Sequence, residues 1–199
     1  MAMDIIFASA NRHKLVEAQK IFGPDFNIIL PEDLGFTEDI PETHETIYEN
    51  SVEKAQYVWN LFHKPCFSDD TGLEIDALNG APGVYSARYA GEPKNPARNI
   101  EKVLAEMADV PYEKRTARFR CVVSFIDGNG LLTTFEGTCE GHINFEPTKT
   151  EAFGYDPIFI AEGYDKTLAE ISIEEKNTIS HRGKAMDKLV CHLSQNPAR

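Results

Sequence analysis

The sequence predicts an α/β protein with a mixed sheet, and three observations carry that prediction. An apolar run, Ile5-Ile6-Phe7-Ala8, precedes a helical stripe and a second apolar run, Phe26-Asn27-Ile28-Ile29-Leu30. Strand–helix–strand order marks an α/β sheet with parallel pairing. Further on, Arg115 to Ile126 alternates through Ala117, Phe119, Cys121, Val123 and Phe125. Asp127-Gly128-Asn129-Gly130 then turns the chain, and Leu131 to Thr138 returns as an antiparallel partner. Finally, 199 residues that are 42% hydrophobic and 26% charged can bury a sizeable core, and residues 1–199 are read as a single domain.

The elements follow in order. After the first strand comes a polar turn, Ser9-Ala10-Asn11. A helix then carries Leu15, Ala18, Ile21 and Phe22 on one stripe and stops at Gly23-Pro24. Pro31 to Pro41 reads as loop. The next helix starts near Thr46, where Thr46 and Glu49 have capping-box spacing. Its buried face is Ile47, Ser51, Ala55, Val58, Trp59 and Phe62. Pro65 to Ser68 reads as a strand, Leu73 to Ala77 as a half-exposed one, and Pro82-Gly83 as a turn. A helix is predicted from Asn95 to Met107, with Ile100, Val103, Leu104 and Met107 inward. A last helix begins near Ser180, with Ala185, Met186, Leu189, Val190 and Leu193 in its stripe.

Composition excludes several function classes. The formal net charge of −12 argues against nonspecific nucleic-acid binding, which needs an excess of Lys and Arg. A small polyanion stays compatible if a metal ion and a few lysines neutralise it. The cysteines Cys66, Cys121, Cys139 and Cys191 are widely spaced, so neither a zinc site nor a disulfide framework is expected. No leader pattern or membrane-length apolar run is present in the sequence, and a cytoplasmic location is expected.

The densest chemistry lies in Ser68-Asp69-Asp70-Thr71-Gly72-Leu73-Glu74-Ile75-Asp76. Asp69 and Asp70 fall at a strand end, where ligands bind in open α/β sheets. Burying adjacent carboxylates without a cation is costly. With no His or Cys cluster nearby, Mg²⁺ or Mn²⁺ fits better than Zn²⁺. Glu74 and Asp76 read as solvated, or as partners for a basic residue. The turn Ser9 to Asn11 with Lys14 suits either a phosphate cradle or an ordinary capped βα turn. Lys54 reads equally as a ligand or a surface lysine, and Glu49 as a cap. Phe153-Gly154-Tyr155-Asp156-Pro157 is a rigid aromatic loop, able to stack on a base or to pack on the sheet. His181 and Arg182 open a helix, where the dipole disfavours cations, and a ligand with acceptor atoms would account for them.

Taken in order, these pieces resemble the inosine triphosphate pyrophosphatase family, also called Ham1-like or RdgB-like. The most specific blocks are Ser68 to Leu73, Gly80-Ala81-Pro82-Gly83-Val84-Tyr85-Ser86-Ala87-Arg88-Tyr89, Phe153 to Pro157, and Ser180-His181-Arg182-Gly183. The resemblance runs from Ile5 to about Leu193. It implies a long curved mixed sheet flanked by helices, in two lobes with a central cleft, and a homodimer. It also implies Mg²⁺-dependent hydrolysis of ITP, dITP and XTP to the monophosphate and pyrophosphate. Ser9, Ala10, Asn11, Arg12, His13 and Lys14 match the phosphate loop, and Lys54 a second phosphate-binding lysine. Glu42 and Asp70 match the metal ligands, with Asp70 also the general base and Thr71 beside it. Phe153, Gly154, Tyr155 and Asp156 match the loop that holds the base, and Lys176, His181 and Arg182 the residues that read the purine edge. The family usually has Thr-Gly where this chain has Ser9-Ala10; serine keeps the hydroxyl, and alanine disfavours positive φ. Two other classes stay open: a metal-dependent phosphatase on nucleotides or sugar phosphates, and a catalytically inactive nucleotide sensor.

Overall fold

The computed structural model describes residues 2–148 and 154–195. Its seven-stranded sheet runs in the order β2-β1-β3-β5-β6-β7, with β4 paired to β3. The strands are β1 (Met3–Phe7), β2 (Phe26–Ile29), β3 (Cys66–Ile75), β4 (Pro82–Gly83), β5 (Thr116–Ile126), β6 (Leu132–Ile143) and β7 (Phe159–Ala161). The helices are α1 (Arg12–Phe22), α2 (Ile47–Phe62), α3 (Pro96–Glu106), α4 (Ile173–Ile179) and α5 (His181–Gln195). β1 pairs parallel with both β2 and β3, as the strand–helix–strand order predicts. β6 and β7 pair antiparallel, so the sheet is mixed.

The chain forms two compact units. The first holds Met1–Asp70, Cys121–Gly137 and Arg182–Arg199. Side chains alternate across the strands, and each face carries its own core. On one face Ile5, Phe7, Phe67, Cys121, Val123 and Phe125 pack with Ala18 and Phe22 of α1 and with Ala185, Met186, Leu189 and Leu193 of α5. Phe7 and Phe67 stack at 4.5 Å. On the other face Ile6, Ala8, Cys66 and Ile126 meet Ala55 and Val58 of α2. There Ser51 of α2 hydrogen-bonds Ser68, Ser124 and the carbonyl of Val122, so its buried hydroxyl is fully engaged.

The second unit holds Thr71–Arg120 and Thr138–His181. Its core joins Leu73 and Ile75 of β3, Ile100 and Val103 of α3, Ala117 and Phe119 of β5, and Phe159 and Ala161 of β7. The buried Arg115 guanidinium donates to the carbonyls of Met107, Val110, Ile143 and Asn144, which ties the end of β6 to the approach of β5. Gly141 permits the close approach of β7: a Cβ there would lie 2.2 Å from the Ile160 carbonyl oxygen.

Several elements differ from the sequence reading. The two short strands expected around Asp69 and Asp70 are one continuous β3. Pro82-Gly83 is a short strand paired to Leu73 and Glu74, and the turn closes just after it, with the Tyr85 N–H donating to the Pro82 carbonyl. Pro31–Leu34 forms a 3-10 turn inside the expected loop, and the return strand runs on to Ile143. β7 and α4 were not anticipated: β7 is too short to show alternation, and α4 buries none of its residues, so it has no apolar stripe. Glu74 and Asp76 do meet basic partners, Arg118 and Arg120.

Cys66, Cys121 and Cys139 are buried and Cys191 is exposed. Burial pushes the Cys66 thiol up to about 12, and burial raises Cys121 as well. A thiol reagent at neutral pH is therefore expected to modify Cys191 rapidly in the native protein. Cys66, Cys121 and Cys139 should react only on unfolding; rapid reaction of a second thiol in the native state would contradict this packing.

Candidate active site

β3 places Asp69 and Asp70 next to each other, yet on opposite faces of the sheet. Phe67 faces the core that includes α1 and α5, and Asp69, two residues on, shares that side. Ser68 faces α2, and Asp70 shares that one. The pair therefore does not form a single carboxylate cluster, as its adjacency suggested. Each carboxylate has its own cations.

Asp69 is 1% exposed. Its Oδ1 accepts from Lys14 Nζ at 2.8 Å and its Oδ2 from Arg182 Nε at 2.9 Å. Arg182 also donates from Nη1 to Glu17 on α1, at 2.9 Å. Burial alone would raise the Asp69 carboxyl; Lys14, Arg182 and Lys54 outweigh it and hold the group well below the usual carboxylate range. Burial likewise opposes the charge on Arg182, but Asp69 leads the interactions that hold its pKa above the ordinary value. The Arg182 cation at the start of α5 is thus answered by Asp69 and Glu17. Glu17 was missed, although it stands one turn beyond Lys14 on α1.

On the α2 side, Lys54 Nζ donates to Glu42 Oε1 at 2.6 Å and to Asp70 Oδ1 at 2.9 Å. Lys54 is buried and Asp70 partly so. Burial disfavours the Lys54 ammonium, but Asp70, Asp69 and Glu42 together raise its pKa. Burial pushes the Asp70 carboxyl above its ordinary value, with Lys54 pulling it back and Glu42 and Asp69 pushing further up. Among the described residues no three His, Cys, Asp or Glu side chains converge. Two carboxylates converging on one cationic centre nevertheless suit Mg²⁺, which commonly takes one or two protein carboxylates and fills its remaining positions with water and substrate phosphate.

The turn into α1 is held by its own side chains. Asn11 caps the helix, accepting from the backbone N–H groups of His13 and Lys14, and Ser9 Oγ accepts from the Asn11 N–H. Among the described residues the non-glycine positive φ angles are at His63 and Asn79, so Ala10 needs no glycine-like backbone. The exposed Arg12 side chain pairs with Glu32 and Asp33.

The remaining predicted residues, Thr71, Gly154, Tyr155, Asp156, Lys176 and His181, belong to the second unit, and Phe153 lies outside the described residues. Gly154 has φ +61°, a conformation suited to glycine. Asp156 is buried and ion-paired with Lys176 of α4. His181 stacks on Phe119 at 5.0 Å. The Tyr155 hydroxyl donates to the carbonyl of Ser86. Ser86 also bonds the Leu73 N–H and the Gly83 carbonyl through its hydroxyl, while Asn99 bonds its backbone carbonyl and that of Ala87. The segment from Gly80 to Tyr89, whose role the sequence left unassigned, is thus a framework that braces Tyr155 against β3.

An α/β sheet with paired carboxylates on a lysine beside a capped strand–helix turn defines a class: proteins that handle anionic phosphate compounds. The comparison with known proteins names the family. Residues 5–192 match the Ham1 family, and the chain belongs to it. It is 47% identical over 185 residues to a dITP/XTP pyrophosphatase of Halalkalibacterium halodurans, covering 92% of this chain and 95% of that one. It is 46% identical over 187 residues to the dITP/XTP pyrophosphatase of Bacillus subtilis, covering 94% of each. The Ham1 protein structure from Staphylococcus aureus matches with a TM-score of 0.90 at 39% identity, over 97% of this chain and 99% of that one.

The division of labour between the two carboxylates is testable by stability. Asp69→Asn leaves the buried Arg182 and the Lys14 ammonium short of a counter-charge, and should cost about 3–5 kcal/mol. Asp70→Asn removes a carboxylate whose charge burial already disfavours, and should cost clearly less. Urea denaturation of the two variants measures both, and equal losses would contradict the assignment.

Proposed function

We propose that the protein hydrolyses the non-canonical purine nucleoside triphosphates ITP, dITP and XTP to the monophosphate and pyrophosphate, and so cleanses the nucleotide pool. The observation that carries the reading is the convergence of Glu42 and Asp70 on Lys54 at the partly buried end of the first half of β3. The names borne by close relatives support the substrate class.

In this reading Glu42 and Asp70 hold Mg²⁺, which neutralises phosphate charge and polarises the phosphoryl oxygens when bound. Lys54 and Lys14 supply the remaining positive charge for the polyphosphate, and Ser9 and Asn11 with the backbone of the α1 turn supply donors. Asp70 is also the base. Burial raises its pKa, which makes it a stronger proton acceptor than a free aspartate, while Lys54 opposes that rise by favouring the ionised form. It takes the proton of a water aimed at the α-phosphorus, so that pyrophosphate leaves as one piece.

For the base, Lys176 and Asp156 offer a donor and an acceptor side by side. A 6-carbonyl with a neighbouring N1–H complements that pair, and adenine presents the reverse pattern. A site built for one pattern rejects the other because buried groups are left unpaired. Thr71, Phe153, Gly154, Tyr155 and His181 complete the proposed substrate contacts. A homodimer and a cytoplasmic setting are further parts of the proposal and rest on the family resemblance. No described helix is long and apolar enough to cross a membrane.

One assay separates this reading from a phosphatase and from a sensor. The protein is incubated with ITP, dITP, XTP, ATP and GTP, with and without Mg²⁺, and pyrophosphate and orthophosphate are measured separately. Pyrophosphate from ITP, dITP and XTP, only with Mg²⁺, is the expected result; orthophosphate as the direct product would overturn it. Asp70→Asn should keep the fold and lower turnover by at least ~100-fold.

A further inference from the structure

Glu42 stands on a stretch with no regular structure. Residues 41–46 form neither helix nor strand, and most of them are exposed. Nonetheless its carboxylate lies 2.6 Å from Lys54 Nζ. The sequence reads Glu49 in this region only as a cap, and it gives Asn50 and Glu53 no role.

The structure shows what holds the stretch in place. It runs back along the first two turns of α2 in antiparallel register. Thr46 and Glu49 exchange the N-cap bonds, with Thr46 Oγ1 accepting from the Glu49 N–H and donating to the Glu49 carboxylate. One step along, the Asn50 side chain grips His44 twice: its Oδ1 accepts from the His44 N–H at 2.9 Å, and its Nδ2 donates to the His44 carbonyl at 3.1 Å. Next, both Glu53 carboxylate oxygens hold Thr43, accepting from its N–H at 2.8 Å and from its hydroxyl at 2.7 Å. Glu42 on Lys54 is the last rung. Helix positions 49, 50, 53 and 54 lie on one face by their spacing, and they hold Thr46, His44, Thr43 and Glu42 in turn. Asn50 is buried at 1% exposure, and its two bonds to the exposed His44 are partly buried.

From this register we infer that Asn50 and Glu53 are positioning residues that set the Glu42 carboxylate at the cation site. The inference rests on the reading of Glu42 and Asp70 as the ligands of Mg²⁺. Hydrogen bonds that orient a metal ligand typically govern metal affinity or activity by 10–100-fold. Here the device fixes the backbone on which the ligand stands. With the Thr43 and His44 rungs opened, Glu42 is left to be ordered by the cation itself, so affinity falls while the loaded site stays the same.

The test uses the full chain and two readouts: Mn²⁺ binding followed by electron paramagnetic resonance, and turnover of ITP as a function of Mg²⁺ concentration. Glu53→Ala should weaken Mn²⁺ binding by about tenfold and raise the Mg²⁺ concentration for half-maximal turnover by about the same factor. Its turnover at saturating Mg²⁺ should come within about threefold of the parent. Glu53→Gln, which keeps a carbonyl acceptor for the Thr43 N–H, should recover most of the affinity. Asn50→Asp, which keeps the acceptor for His44 but loses the donor, should shift both readouts in the same direction as Glu53→Ala. Glu42→Ala separates this inference from the reading beneath it. Should Glu42→Ala lose Mn²⁺ while Glu53→Ala and Asn50→Asp bind it like the parent, the positioning role is overturned and the metal reading stands. Should Glu42→Ala bind Mn²⁺ like the parent, the metal reading falls and the positioning role with it. A loss of turnover that is uniform across Mg²⁺ concentrations, with Mn²⁺ affinity unchanged, also overturns the positioning role.

Discussion

The first unit depends on one constraint: two adjacent aspartates on a strand must point to opposite faces of a sheet. Two carboxylates buried together would repel each other strongly. The pleat of β3 instead sends Asp69 towards Lys14 and Arg182, and Asp70 towards Lys54 and Glu42. The Asp69 face balances its charges, Lys14 and Arg182 against Asp69 and Glu17, while the Asp70 face sets one ammonium, Lys54, against two carboxylates. The consequence is a separation of duties across a single peptide bond. On one side the charges link α1 and α5 to β3, at the end of the core formed by Phe7, Phe67 and Met186. On the other the charges stand above Ser51, Ser68 and Ser124, at the end of the core beneath α2, where carboxylate oxygens and an ammonium group are gathered.

This arrangement also explains how an acidic protein accommodates a polyphosphate. The net charge of −12 opposes approach. Locally, however, Lys14, Lys54 and Arg182 gather around Asp69 and Asp70, so the acidic residues serve to hold cations in position. Lys54 is central because it contacts both proposed ligands at once. With the ammonium between them, Glu42 and Asp70 stay close to each other without a divalent ion.

Much of this was legible in the sequence, and the parts that were not have physical reasons. Helix α2 was placed to its capping residue because Thr46 and Glu49 are local chemistry, and the apolar stripe behind them has a clear period. The unit of β1, α1 and β2 was legible for the same reason. By contrast, β3 was read as two pieces because Asp69 to Gly72 carries no apolar alternation, and burial there is offset by ion pairs from other elements. α4 and β7 carry too few buried side chains to leave a pattern. At the site, motif resemblance supplied Glu42, Lys54 and Asp70. It did not supply Glu17, Glu53 or the role of Asn50, because their partners are reached through tertiary contact and not through spacing. Arg182 shows both sides of this. Its placement at a helix start signalled that acceptors were needed, and the fold supplies Asp69 and Glu17 as two of them.

The central claim is that the face carrying Asp70 holds the cation and the face carrying Asp69 holds the fold. A Mn²⁺ titration of Asp69→Asn and Asp70→Asn, at a temperature where both are folded, tests it most directly. The account predicts that Asp70→Asn loses at least about tenfold in Mn²⁺ affinity, and that Asp69→Asn stays close to the parent. Loss of binding in Asp69→Asn with retention in Asp70→Asn would contradict it.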